Sequence, residues 1–148
     1  MKDRQPTVTI LMADDDDDDS LLVHDALVES RLPIALHIVR DGEELMDYLS
    51  HCGLYADANK APRPSLILLD LNMPKKHGLE VLKEIKNHPQ LRRIPVIVFT
   101  GSNAEEDIYN TYNLGANSFI IKPGNFTSLV EVMKTIGKYW LEIVELPL

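Results

Sequence analysis

The sequence holds one cysteine, Cys52, among its 148 residues. A lone thiol excludes an intrachain disulfide framework and suits a reducing compartment, so the fold has to rest on its own core. No apolar run approaches the roughly 20 residues that cross a bilayer. The opening MKDRQPTV lacks the apolar stretch of a secretory signal, so a cytoplasmic protein without a membrane partner is expected. Positive charge is scarce: 15 Lys and Arg stand against 23 Asp and Glu, a net charge of −8. That deficit argues against binding to nucleic acid or to an anionic membrane surface. With 45% hydrophobic and 26% charged residues, the chain has the profile of one globular domain over residues 1–148. At this size roughly 70% of the unfolded surface can be buried.

Aspartate, by contrast, is concentrated in one place. The stretch ILMADDDDDDSLL (Ile10–Leu22) puts six of them, Asp14 to Asp19, directly after an apolar run. Five such runs recur along the chain: TVTILM (Thr7–Met12), LHIVR (Leu36–Arg40), SLILLD (Ser65–Asp70), IPVIVFT (Ile94–Thr100) and NSFII (Asn117–Ile121). Their β-branched and apolar content predicts strands, the third and fourth buried on both faces. Helical spacing follows each one, in Leu21–Arg31, Asp41–Cys52, Gly78–His88, Ala104–Gly115 and Phe126–Val144. Strand–helix alternation of this kind predicts an α/β fold, a doubly wound five-stranded parallel sheet with five helices on its two faces. The longest irregular stretch, GLYADANKAPRPS (Gly53–Ser65), reads either as a partner-contacting loop or as a tolerated insertion.

In an open parallel sheet, ligands bind beyond the carboxyl ends of the strands. The first strand delivers Asp14 and Asp15 to that rim, the third Asp70, the fourth Thr100 and the fifth Lys122. The second delivers only Arg40 and Asp41. Converging carboxylates repel one another unless a cation lies between them, and a hard divalent ion such as Mg²⁺ takes oxygen ligands of this kind. A carboxylate is a nucleophile toward phosphorus, a lysine ammonium offsets charge on phosphoryl oxygens, and a threonine hydroxyl donates to another oxygen. Taken singly, Lys122 reads as a surface lysine, Thr100 as an ordinary strand residue and Asp70 as a capping residue. Together the five have the parts for phosphoryl transfer.

The acidic pair DD after strand one, LILLDLNMP at strand three, VIVFTGS at strand four and FIIKP at strand five resemble the receiver domain of two-component response regulators. The resemblance covers nearly the whole chain and implies the flavodoxin-like strand order 2-1-3-4-5, a known feature of that family. The segments running from APRPSLILLD to GSNAEEDI, with the ending YWLEIVELP, are similar to small stand-alone regulators that serve bacterial, cyanobacterial-type phytochrome histidine kinases. The resemblance implies that Asp70 is the phosphoacceptor, that Asp15 ligates Mg²⁺ directly and Asp14 through water, and that the backbone carbonyl of Asn72 completes the protein ligands. Thr100 and Lys122 would contact the phosphoryl group, with Pro123 following in a cis peptide bond. Thr100 and Phe119 would form the switch pair. Phe119 lacks the hydroxyl of the tyrosine common at that place, so an output relying on that hydrogen bond is not expected.

The remaining residues have plainer readings. Asp16 to Asp19 are expected to be solvated and to start the first helix, with Asp18 or Asp19 as its cap; a second weak cation site is the alternative. The five histidines show no metal-ligand spacing and read as structural or exposed, and Cys52 as an unreactive thiol. At 100° per residue, Phe126, Leu129, Val130, Met133, Trp140 and Val144 share one arc, and Val132, Ile136, Tyr139 and Ile143 widen it to roughly 200°. That shoulder predicts a homodimer interface, unless the terminal WLEIVELPL folds back over it. The chain ends a few residues beyond, so no output domain is expected, and output would pass through dimerisation or a partner. Two rival functions arise. A haloacid-dehalogenase-like phosphatase wants a second aspartate where Asn72 stands, and a non-phosphorylated receiver-like adaptor has no use for a filled site.

Overall fold

The computed structural model describes residues 8–147, so Thr7, the expected start of the first strand, lies outside them. Five strands form one parallel sheet: β1 (Val8–Ala13), β2 (Ile34–Val39), β3 (Leu66–Leu69), β4 (Val96–Thr100) and β5 (Ser118–Ile121). Their order is β2-β1-β3-β4-β5. Five helices alternate with them: α1 (Asp17–Ser30), α2 (Gly42–Ser50), α3 (Gly78–Asn87), α4 (Glu105–Asn113) and α5 (Phe126–Gly137). Every residue of β3 and β4 is buried, as continuous apolar runs require when helices cover both faces. β2 is an edge strand and only half buried.

Alternation along the strands sorts the core into two layers. Leu11, Ala13, Ile67, Leu69, Val96 and Val98 pack with Leu45 and Tyr48 of α2 and Val81, Leu82 and Ile85 of α3. Ile10, Met12, Leu66, Leu68, Ile97 and Phe99 face the other way, onto Val23, Ala26 and Leu27 of α1 and Leu129, Val130, Met133 and Ile136 of α5. The first residue of α3 is a glycine for lack of space. A Cβ on Gly78 would lie 2.5 Å from the carbonyl oxygen of Asp70 and 2.6 Å from Leu71 Cα. The start of α3 therefore closes tightly on the end of β3, tied by Gly78 N–H donating to the Leu71 carbonyl at 2.8 Å.

Three expectations change here. The first helix begins four residues earlier than its apolar spacing suggested, because Asp16 caps it: its Oδ1 accepts from the N–H groups of Asp18 (2.9 Å) and Asp19 (3.2 Å). Neither Asp18 nor Asp19 is the cap. The last helix does not run unbroken to Val144. It leaves α geometry after Gly137 and continues as a π-helical segment over Lys138–Ile143, with Val144 N–H donating to the Tyr139 carbonyl at 2.8 Å. Ile136, placed on the exposed shoulder, is instead only 5% exposed and belongs to the core, because that side of α5 lies on β4 rather than in solvent. Val132 and Trp140 are partly buried against the same cluster, whereas Tyr139 and Ile143 are exposed, at 51% and 62%.

The loop after α2 is held to its helix. Residues Gly53–Tyr55 form a single 3₁₀ turn, the Tyr55 hydroxyl bonds Glu44, and the Tyr48 hydroxyl donates to the Pro62 carbonyl at 2.8 Å. Two of the histidines serve locally. His77 caps α3 through Nδ1 and Leu79 N–H, and His88 Nδ1 accepts from the N–H groups of Gln90 and Leu91. Cys52 is exposed.

Candidate functional site

The hydrogen-bond ladder continues one residue past the strands and so fixes where the site residues emerge. Asp14 N–H donates to the Val39 carbonyl, Asp70 N–H to Ala13 and Lys122 N–H to Thr100, at 3.0, 3.0 and 2.8 Å. Asp14, Asp70 and Thr100 are buried at this rim, while Asp15 is exposed at its edge. Carboxylate oxygens of Asp14, Asp15 and Asp70 lie within 4.8 Å of one another. The three acids expected from the strand ends are thus brought together.

Both oxygens of Asp70 are engaged. Thr100 Oγ1 donates to Oδ1 at 2.7 Å, a bond buried on all sides, and Lys122 Nζ donates to Oδ2 at 3.4 Å. The N–H of Asn72 also reaches Oδ1, at 3.4 Å, which places the backbone of Asn72 beside the cluster. Lys122 sits closer to the other acids. Its ammonium, on a side chain only 16% exposed, is 2.6 Å from Asp14 Oδ2 and 2.8 Å from Asp19 Oδ2. The ammonium is the close partner of this buried Asp14 oxygen. Asp14 Oδ1 accepts from the N–H of Asp16 at 2.9 Å.

The electrostatics follow from this crowding. Burial pushes the Asp14 carboxyl up to about 6; Lys122 and the Asp16 N–H pull it down, and the charge of Asp70 adds to the rise. Burial opposes the charge on Lys122, but its contacts with Asp14 and Asp19 and the nearby Asp70 outweigh that and hold its ammonium above the usual lysine range. A single ammonium among three carboxylates leaves an excess of negative charge. Three carboxylates whose oxygens converge beside one ammonium are an all-oxygen donor set that fits a hard divalent cation.

Phe119 pairs in register with Val98 and packs, half buried, against the same layer as Val96 and Val98. Thr100, two residues beyond Val98, lies on that side of the sheet as well. The Lys122–Pro123 bond is trans, since the described residues contain no cis peptide, and this corrects the cis bond expected from the resemblance. Arg40 and Asp41 take no part: Arg40 pairs with exposed Asp17 at 2.9 Å, and Asp41 caps α2.

Asp19 was not anticipated. The run by itself marks it as a solvated acid, yet its carboxylate holds Lys122. The available signal is helical register, since Asp19, Val23 and Ala26 fall on one side of α1 and the last two are buried.

The family model described as response regulator receiver domain matches residues 10–134. Response regulator Rcp1 of Synechocystis sp. is 43% identical over 145 residues, covering 98% of this chain and 97% of that protein. Among solved structures, the Mn²⁺-bound form of Rcp1 superposes with a TM-score of 0.86 at 44% identity, covering 95% of this chain and 99% of that one. The phosphorylated cyanobacterial phytochrome response regulator RcpA gives 0.89 at 44% identity, covering 97% and 100%. A family match over most of the chain, and a fold shared with these regulators over 95% and 97% of it, establish that the chain belongs to the response regulator receiver domain family.

Proposed function

We propose that Asp70 accepts a phosphoryl group from a histidine kinase, with Mg²⁺ held by Asp14, Asp15, Asp70 and the backbone carbonyl of Asn72. The observation that carries this reading is the surroundings of Asp70. It is a buried carboxylate with Thr100 on one oxygen, Lys122 near the other and two further acids within ligand reach. When bound, Mg²⁺ supplies charge that offsets the carboxylates and the phosphoryl oxygens. An Asp70 oxygen attacks the phosphorus of a phosphohistidine. The O–P bond forms as the P–N bond breaks, and the imidazole nitrogen leaves with the electron pair and takes up a proton. Lys122 and Thr100 then turn from the Asp70 oxygens to those of the phosphoryl group. Phe119 moves toward the space that Thr100 leaves, carrying the change to the surface through β5 and α4. Attack by water on phosphorus restores the carboxylate and releases inorganic phosphate. No external substrate is turned over.

Similarity to Rcp1 and RcpA supports a kinase of the phytochrome type as partner and a cytoplasmic setting. The net charge of −8 supports an output that does not pass through direct nucleic-acid binding. Exposed Tyr139 and Ile143, with half-buried Val132, support output through a homodimer or a protein partner. The test is intact mass after incubation with a small phosphodonor and Mg²⁺, repeated with a phosphorylated phytochrome-type kinase as donor. Wild type gains the mass of one phosphoryl group; Asp70→Asn and metal-free wild type do not. Folded wild type that gains nothing from either donor contradicts the reading.

A further inference from the structure

We propose that Asp19 is a positioning residue: it keeps the Lys122 ammonium beside Asp70 when a divalent cation takes Asp14 from it. The inference rests on the reading of Asp14, Asp15 and Asp70 as metal ligands. Lys122 Nζ has three acidic partners, at 2.6 Å (Asp14), 2.8 Å (Asp19) and 3.4 Å (Asp70). Two of these belong to the cluster whose oxygens converge within 4.8 Å; Asp19 does not. A cation entering that cluster and the ammonium compete for the same buried oxygen, Asp14 Oδ2, and repel each other there. Asp19 is the partner the ammonium keeps when it gives up Asp14.

The carboxylate is well placed for this. Asp19 stands in the first turn of α1, fixed by its N–H to the Asp16 cap, with a side chain 35% exposed. Favourable negative charge at the helix N-terminus is already supplied by Asp17 and Asp18, so the dipole does not account for its contact with Lys122. Without a charge at position 19, the ammonium has only the ligand carboxylates left, and every entering cation must displace it.

The test measures Mn²⁺ binding to the unphosphorylated protein, from loss of the free-ion electron paramagnetic resonance signal, in wild type, Asp19→Asn, Lys122→Met and the double variant. Asp19→Asn weakens Mn²⁺ binding about fivefold when Lys122 is present, the scale of one partly exposed ion pair. In the Lys122→Met background the same change alters affinity by less than about twofold, because the two residues act as one unit. An unchanged affinity in Asp19→Asn overturns the proposal. So does an equal loss in both backgrounds, which marks a direct effect of charge on the metal. Wild type that binds no Mn²⁺ overturns the metal reading and this inference with it, so the two failures are told apart.

Discussion

At Asp14, burial and neighbouring charge pull against each other, and burial prevails, lifting the carboxyl from an ordinary 3.8 to about 6. Between those values the folded, metal-free protein carries a proton that the unfolded chain has released. Its contribution to stability is therefore present below about pH 4 and is lost as pH rises through about 6. The same proton competes with a metal ion. Mg²⁺ titrated calorimetrically should bind about tenfold more weakly at pH 5 than at pH 7, and Asp14→Asn should flatten that dependence. Equal affinity of the wild type at both pH values would contradict the account. Asp14, Asp70, Thr100 and Lys122 were readable because a strand end fixes both position and direction. Asp19 was not, because its neighbours depend on where α1 begins. That start is set by one side chain, Asp16, within a run of six identical residues.

At the scale of elements, β3 and β4 announced themselves by unbroken apolar sequence, and burial on both faces is the reason. Helix ends were harder to read. Projecting Phe126–Val144 at a constant 100° per residue places Ile136 in solvent, but the sheet covers that side of α5, and the pitch changes after Gly137. Composition marks Gly53–Ser65 as irregular, yet its anchors, Tyr48 to Pro62 and Tyr55 to Glu44, are long-range contacts that no local pattern reveals. The surface proposed for a dimer consequently narrows to Tyr139, Ile143 and the half-buried Val132. The double change Tyr139→Asp with Ile143→Lys should convert a sedimenting dimer to monomer while leaving the thermal midpoint nearly unchanged, since both side chains are more than half exposed. Wild type that sediments as a monomer at high micromolar concentration would remove the dimer from the account.

For the molecule as a whole, the order β2-β1-β3-β4-β5 is what makes scattered residues into one site. It sets β1, β3 and β4 side by side and β5 next to them, so residues 14, 70, 100 and 122 meet although more than a hundred positions separate the first from the last. Alternation of strands and helices made a parallel sheet readable, whereas the order itself came from the family likeness, because periodicity carries no information on which strands adjoin. The central claim is that this rim makes Asp70 an acceptor. Its most direct test is to phosphorylate the protein with a small phosphodonor and Mg²⁺, reduce it with borohydride and map the product by peptide mass. An acyl phosphate at Asp70 is reduced to homoserine at position 70 alone. Homoserine at another aspartate, or a bound phosphoryl group that yields none, would contradict the account.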